Sequence, residues 1–418
     1  MAMDAGTLII GACQTGVQLA ASLRELGDTS PITLVGEEPH APYQRPPLSK
    51  ELHGGTIDVA ALSLRTADWY RGQDISLITG ERIVHLERDN DGGAATSAGG
   101  RTFRFSRLAL ATGAAVRRLP LEGAELAGVH YLRDASDAAR LAADLAAARD
   151  VVVIGGGFIG LEVAAGARAA GKRVTVLEAA PRLVGRAVAE ETSEYFRAAH
   201  QRRGTLVVLD AQITRLAGTG GQVAGVELAD GTQVSADVVL IGVGVVPRTE
   251  LAEQLGLAVE NGIEVDEHGL CSDGRTVAAG DCANLPNPYV RGSGGRVRME
   301  SVPHALEHAK TAAAALLGRR EPYRMLPWFW SDQGDIKLQI AGLSAGFDQT
   351  VLRGDPEADK FSLLYYREGK IIAADCVNSA ADFMAVRNAL ARGQDIPAAA
   401  AADVGARLKQ LTREPAVA

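Results

Sequence analysis

Cysteine is scarce: the 418 residues hold four, at positions 13, 271, 282 and 376, and no two are spaced as CxxC or CxxxxC. That excludes a local dithiol for redox exchange or zinc and leaves four free thiols as the expectation. Long apolar runs are missing as well. The longest, around Val238 to Val246, is strand-sized and broken by glycines, well short of the roughly 20 residues that cross a bilayer. No signal-peptide pattern opens the sequence, so the expected compartment is the cytoplasm. Positive charge is not in excess, the formal net charge being −8, which argues against nucleic-acid binding as a whole-protein role. An HExxH motif is absent too, and no metal is expected.

What the chain does have is length for two or three domains and a hydrophobic content of 47% to fill their cores. Its most informative stretch runs from Val151 to Glu178. Four apolar residues, Val151 to Ile154, predict a strand; Gly155-x-Gly157-x-x-Gly160 follows; an Ala-rich segment predicts a helix; and Arg173 to Leu177 predicts a second strand ending at Glu178. In such a βαβ unit each glycine has a mechanical reason. Gly155 permits the tight turn, Gly157 lets the backbone approach a pyrophosphate, and Gly160 lets helix and strand pack closely. The pyrophosphate meets the helix's free N–H groups and positive dipole end. Glu178 stands where it can accept hydrogen bonds from an adenosine ribose. The unit is built to bind a dinucleotide.

The N-terminus repeats this pattern. Thr7 to Ile10 predicts a strand, Gly11 and Gly16 frame the turn, a helix-like segment runs to Leu26, and Ile32 to Val35 predicts a strand closed by Gly36 and Glu37. Gly11 and Gly155 are as far apart in sequence as Gly16 and Gly160, so the repeat is in register. Cys13 then occupies the position of Gly157, which puts a side chain where a pyrophosphate should approach, while Glu37 is the expected ribose acceptor. Two such units imply two dinucleotides. A proline-rich turn, Ala41 to Lys50, comes next. Its prolines fix a loop and Ser49 is placed to cap a helix starting near Lys50. Arg45 and Lys50 could alternatively hold a cation against an anionic ring or phosphate.

Short strands are predicted at Ile75 to Ile78, Arg82 to Leu86 and Phe103 to Leu110, closed by Ala111-Thr112-Gly113. Asp134 to Arg149 reads as an amphipathic helix leading into Val151. After Glu178 come a helix near Glu190 to Arg203, a strand Leu206 to Leu209, a hairpin turned by Asp230-Gly231, and a strand Val238 to Val243. Val277 to Asp281 reads as a buried strand ending in a glycine turn, with Asp281 as either a turn residue or a ligand. Glu300, His304 and His308 share an i, i+4 helical face with no third metal ligand. Trp328-Phe329-Trp330 concentrates rings that either fill a core or cover a planar cofactor. A further helix is expected near Ala381 to Ala391, and the Ala-rich tail carries no legible chemistry.

Six segments together carry a resemblance that covers nearly the whole chain: Pro46-Pro47-Leu48-Ser49-Lys50, Ala111-Thr112-Gly113, Gly155 to Glu162, Gly280-Asp281-Cys282-Ala283, Glu300-Ser301-Val302-Pro303 and Pro327-Trp328-Phe329-Trp330-Ser331-Asp332-Gln333. The sequence resembles the NADH-dependent ferredoxin reductases of bacterial oxygenase systems. That resemblance implies an α/β, glutathione-reductase-like flavoprotein with two dinucleotide-binding domains and a C-terminal α+β domain. The FAD-binding domain would be split between 1–115 and 243–326, with an NADH-binding domain at 116–242 and the last domain at 327–418.

By the same resemblance, FAD would be held by Gly11, Cys13, Gly16, Glu37, Arg45, Lys50, Thr112, Gly113, Asp281 and Val302. Lys50 would face the isoalloxazine, Asp281 the ribityl chain and Val302 the pyrimidine side. NADH would be held by Gly155, Gly157, Gly160 and Glu178, with Glu162 near the nicotinamide amide. Trp330 would lie between the flavin and an iron–sulfur ferredoxin that feeds an oxygenase. The cofactors carry the hard chemistry, so Lys50 and Glu162 would orient groups without acting as acid and base.

Two positions depart from the family pattern: Cys13, and Gly334, where relatives usually carry an aromatic. Arg291, Arg296, Arg298, Lys310, Arg319 and Arg320 offer a basic docking surface for an acidic ferredoxin. Two rival readings share the architecture. A disulfide or peroxide reductase would need a redox cysteine between Tyr43 and Lys50, where there is none. A flavoprotein resembling apoptosis-inducing factor, with a mainly signalling or structural role, keeps the same motifs.

Overall fold

The computed structural model describes residues 3–50, 58–290 and 295–414. They group into two compact units. The first comprises Met1–Gln44, Asp58–Ala115 and Val246–Pro327; the second comprises Arg45–Ile57, Val116–Val245 and Trp328–Ala418. The proline turn around Pro46 therefore groups with the second unit, which nothing in its composition announced.

A five-stranded parallel sheet carries the first unit, in the order Val277–Ala278, Arg107–Leu110, Thr7–Ile10, Ile32–Val35, Ile75–Ile78. Its central strands are mostly apolar because both faces of a parallel sheet are covered; Leu8, Ile9, Leu34 and Leu108 are fully buried. Val17 and Leu23 of the Gln14–Glu25 helix share a core with Ala309 and Ala312 of the Val302–Leu316 helix. The run from Phe103 to Leu110, expected as one strand, breaks at Ser106. Thr102–Phe105 joins a four-stranded sheet with Met3–Asp4, Gly93–Ser97 and Ile83–Arg88, whereas Arg107–Leu110 enters the parallel sheet. The backbone N–H groups of Ser106 and Arg107 both donate to the Gly6 carbonyl, at 2.9 and 3.3 Å, and this diverts the chain from one sheet to the other.

In the second unit a parallel sheet runs in the order Val129–His130, Val238–Ile241, Asp150–Ile154, Arg173–Leu177, Leu206–Val208. The Phe158–Ala169 helix connects its third and fourth strands, Asp150–Ile154 and Arg173–Leu177. Entry into that sheet is prepared by the Ala135–Ala147 helix, whose Asp134 and Asp137 form a reciprocal capping box. A three-stranded meander, Ile213–Thr219, Gln222–Leu228 and Gln233–Ser235, turns at Gly231. The C-terminal part is a five-stranded antiparallel sheet, ordered Trp328–Gln333, Ile336–Gly342, Lys370–Val377, Lys360–Arg367, Gln349–Asp355. Phe383, Val386 and Ala389 of the Ala380–Ala391 helix close its core. The Ala-rich tail is tied down by buried Arg353, which donates to the carbonyls of Ala401 at 3.2 Å and Ala406 at 2.8 Å. Among the described residues no helix is long and apolar enough to cross a membrane.

Candidate active site

In the first unit, Gly11 adopts φ +118°, and a Cβ there would lie 2.0 Å from the Ala111 carbonyl oxygen. A Cβ on Gly16 would lie 2.1 Å from the Gly11 carbonyl oxygen. Neither position accepts a side chain. The Gln14–Glu25 helix starts with no side-chain cap and no acidic residue in its first turn, so its leading N–H groups and dipole remain available to an anion. Cys13 is the N-cap, with extended backbone (φ −137°) that any residue adopts. Its Sγ donates to the Ala111 carbonyl at 3.4 Å and packs against the core. The thiol turns toward the end of the neighbouring strand.

Glu37 closes its strand and pairs with Arg248 at 2.6 Å, with Arg82 at 3.9 Å. Arg248 also ties two other expected site residues together, since its carbonyl accepts the Thr112 hydroxyl at 2.8 Å and its N–H donates to Gly113 at 3.0 Å. Sequence reading missed Arg248 because it lies far from both motifs. Gly280 has φ +76°, and a Cβ there would meet Thr15 Oγ1 at 2.3 Å. That close approach places the Asp281 turn against the first turn of the Gln14–Glu25 helix.

Val302 opens the next helix, whose N-cap Ser301 accepts from the His304 N–H. Glu300 precedes the cap, so the expected shared face of Glu300, His304 and His308 does not form. The two histidines are fully buried with ring centres 4.9 Å apart. His304 Nδ1 sits 2.8 Å from the Tyr323 hydroxyl, and His308 Nδ1 accepts the Gly280 N–H at 3.4 Å. Burial holds His304 down to about 4 and His308 well below its ordinary range.

The second unit repeats the cradle with open backbone. Gly155 has φ +104°, a Cβ on Gly160 would lie 2.3 Å from the Gly155 carbonyl oxygen, and one on Gly157 would meet nothing within 4 Å. Gly157 caps the Phe158–Ala169 helix, again with no side-chain cap and no acid in the first turn. Glu178 braces this turn, accepting the Gly156 N–H at 2.6 Å and the Ala180 N–H at 2.8 Å. Arg182 is engaged by its own loop through the carbonyls of Val188 and Gly185, at 2.8 and 2.7 Å.

Glu162 lies one turn into that helix, 5% exposed. Its two oxygens accept the hydroxyls of Ser331 at 2.7 Å and Ser49 at 2.5 Å, and Lys50 Nζ stands 3.9 Å away. Burial raises this carboxyl above its ordinary range, and the two hydroxyls and Lys50 pull in the opposite direction. Ser49 does not cap a helix at Lys50: it lies inside a Pro47–Lys50 helical turn and spends its hydroxyl on Glu162. Lys50 is closer to Asp332, at 2.7 Å, than to Glu162, and it sits 5.6 Å from the centre of the Trp330 ring. Arg45 anchors the start of this turn by donating to the Arg133 carbonyl at 2.7 Å.

Strand alternation sorts the Trp328–Gln333 segment. Ser331 and Gln333 are buried, while Trp330 and Asp332 are half-buried. Phe329 stacks on Phe158 with ring centres 4.7 Å apart. Gly334 follows at φ +67°, a conformation in which an aromatic side chain would be strained.

Four of the six expected docking charges have direct structural partners. Arg296 donates to the carbonyls of Val265 and Asn284 at 2.9 and 2.6 Å, Arg298 pairs with Glu300 at 2.6 Å, Lys310 pairs with Glu307, and Arg319 donates to the Leu26 carbonyl at 3.0 Å. Arg320 stands 4.0 Å from Asp266, and Arg291 lies outside the described residues. Arg296 and Arg298 are thus also engaged within the fold.

Two glycine cradles at uncapped helix ends, each served by a strand-end glutamate, fit two dinucleotides. Residues 6–309 match the pyridine nucleotide-disulphide oxidoreductase family, and residues 328–412 match the reductase C-terminal domain. The chain belongs to the pyridine nucleotide-disulphide oxidoreductases. Rhodocoxin reductase of Rhodococcus erythropolis is 43% identical over 96% of this chain and 93% of its own length. A solved ferredoxin reductase from Rhodopseudomonas palustris superposes with a TM-score of 0.93 at 41% identity, covering 98% of this chain and all of that one. The solved covalent putidaredoxin reductase–putidaredoxin complex gives 0.92 at 36% identity, covering 98% of each chain. The fold is the expected α/β architecture of two dinucleotide-binding domains with a C-terminal α+β domain. This member of the family lacks the dithiol that its family name implies: all four cysteines are free, and burial raises the thiols of Cys271, Cys282 and Cys376.

Proposed function

We propose that this protein is a FAD-dependent oxidoreductase that takes electrons from NADH and delivers them to an iron–sulfur ferredoxin serving an oxygenase. The observation that carries the reading is Glu162, buried on the nucleotide helix, held by Ser49 and Ser331 and grouped with Lys50, Asp332 and Trp330. Bound FAD would supply the redox chemistry that links a two-electron donor to a one-electron acceptor.

The protein's own groups bind, orient and exclude water. Gly11, Cys13 and Gly16 offer FAD the first uncapped helix end, Glu37 its ribose, and Thr112, Gly113, Asp281 and Val302 further contacts. Gly155, Gly157 and Gly160 offer NADH the second helix end, and Glu178 its adenosine ribose. Glu162 would face the nicotinamide carboxamide, and Lys50 favours the charged form of that carboxylate. Trp330, half-buried beside Lys50, is assigned to the ferredoxin side. No side chain is required to move a proton. We retain 1–115 with 243–326, 116–242 and 327–418 as the functional division, and the cytoplasm as the compartment.

Anaerobic titration of the yellow protein with NADH, followed by mixing with a ferredoxin, tests this reading. Bleaching at one equivalent and rapid ferredoxin reduction are expected. A protein that binds no FAD ends it, and one that bleaches slowly and passes no electrons supports the signalling reading.

A further inference from the structure

Beyond the groups touching Glu162, a chain of buried hydrogen bonds runs across three elements of the second unit. Ser331 Oγ lies 2.7 Å from Glu162 Oε1, Gln333 Nε2 lies 3.3 Å from Ser331 Oγ, and His200 Nε2 lies 2.8 Å from Gln333 Oε1. Ser331 is fully buried, and Gln333 and His200 are nearly so. Glu162 belongs to the Phe158–Ala169 helix, Ser331 and Gln333 to the Trp328–Gln333 strand, and His200 to the Glu190–Arg202 helix.

The donor directions follow from the carboxylate end. An ionised Glu162 only accepts, so Ser331 must donate to it and can then accept from the Gln333 amide nitrogen. That orientation turns Gln333 Oε1 toward His200, which must carry its proton on Nε2. We infer that His200 and Gln333 are positioning residues that hold Ser331 as an obligate donor and so keep Glu162 ionised. Aligned hydrogen bonds in a low-dielectric interior reinforce one another, and the chain opposes the burial that drives Glu162 toward its neutral form.

The surrounding charges are compatible with this role. Glu162 faces Lys50, Ser49 and Ser331, with Asp332 pairing to Lys50. His200 faces Gln333 and shares its helix end with Arg203, whose guanidinium is held by Asp335 and Asp359. Burial, with Arg203, lowers His200 below its ordinary range against the opposing hydrogen bond to Gln333, and Nε2 is the donor in the tautomer that Gln333 Oε1 accepts.

The inference rests on the reading of Glu162 as a nicotinamide contact, and the test separates the two. Calorimetry on the FAD-loaded protein measures the NAD+ dissociation constant between pH 6 and 8 in wild type, Glu162→Gln, His200→Phe, His200→Gln and Gln333→Met. Without His200 the Gln333 amide is free to flip, and Glu162 takes up a proton at higher pH. NAD+ binding by His200→Phe should therefore weaken about three- to tenfold more than that of wild type as pH falls from 8 to 6, the loss of about one hydrogen bond. Gln333→Met should do the same from the strand side if the phenylalanine variant fails to fold. His200→Gln, which retains an N–H donor, should restore the wild-type profile. Parallel profiles in all chain variants, or an affinity loss independent of pH, overturn the positioning role while leaving Glu162's assignment intact. An unchanged dissociation constant in Glu162→Gln overturns that assignment itself.

Discussion

Lys50 Nζ lies 2.7 Å from an Asp332 oxygen and 3.9 Å from Glu162, so one ammonium serves two carboxylates of very different exposure. Asp332 keeps 38% of its side chain in solvent, while Glu162 keeps 4%. An exposed pair contributes about 0–1 kcal/mol, and a hydrogen bond to a buried charge about 1.5–3. Asp332→Asn should therefore shift Tm by less than about 2 °C and leave NADH affinity near wild type, because the released Lys50 moves toward Glu162. Glu162→Gln should weaken NADH binding about ten- to a hundredfold. Equal losses in the two variants would transfer the binding role to Asp332.

Coenzyme choice should follow Glu178. Its carboxylate is fixed by the N–H groups of Gly156 and Ala180 at the ribose end of the turn, where a 2′-phosphate would meet like charge, an arrangement that costs several kcal/mol. Arg182 is held by its own loop and does not offset it. We expect kcat/KM for NADH to exceed that for NADPH by at least about a hundredfold, and Glu178→Ser to narrow the gap by at least about tenfold. Equal efficiency with both coenzymes in the wild type would contradict the argument.

Arg296 offers a check on the basic docking surface. Its guanidinium donates to two backbone carbonyls, those of Val265 and Asn284, and Arg296→Glu leaves both acceptors facing a carboxylate. The substitution should lower stability by about 2–4 kcal/mol, seen as a lower urea midpoint for the variant. A variant as stable as wild type, yet slowed only in ferredoxin reduction and only at low salt, would return Arg296 to the docking surface.

The nucleotide cradles were legible in sequence because each glycine answers a local steric demand: Gly11 and Gly16 face carbonyl oxygens that exclude any Cβ. The parallel strands were legible too, as apolar runs of the right length. What escaped was partnership at long range. Ser49 looked like a helix cap because Ser beside a predicted helix start usually is one, yet its partner lies 113 residues away. Arg248 and His200 stand in segments without motifs, and only the folded chain brings them to Glu37 and Gln333. Alternation along Trp328–Gln333 was the one signal that could have sorted Ser331 and Gln333 from Trp330 and Asp332.

Cys13 was expected to weaken FAD binding by standing in a glycine's place. The thiol instead donates to Ala111 and packs against the core, and its backbone angles demand no glycine. Cys13→Gly should then leave the FAD dissociation constant within about threefold of wild type and destabilise the fold by about 1–2 kcal/mol through lost packing and added chain entropy. FAD binding tightened by tenfold or more would restore the obstruction argument.

His304 and His308 predict how the protein fails in acid. Both are buried and neutral, with His304 lowered to about 4 from an ordinary 6.5 and His308 lowered as well. Because the unfolded chain binds these protons first, the folded state's advantage is intact above about pH 6.5 and falls as pH drops toward about 4, by at most about 1.4 kcal/mol per pH unit for each group. His200 adds to the same trend. Carboxylates whose values are lowered by hydrogen bonds, such as Asp237, contribute in the same direction only nearer pH 4, starting from an ordinary value of 3.8. Buried Asp375, raised to about 7, and Glu162, also raised, work in the opposite direction as pH falls, so the histidine contribution is read from the difference between wild type and a histidine variant. His308→Gln keeps an acceptor for the Gly280 N–H without a titrating group, so its Tm should fall less steeply than that of wild type between pH 6.5 and 5. Thermal melts of the two proteins across that window decide the matter, and parallel curves would remove His308 from the account of acid lability.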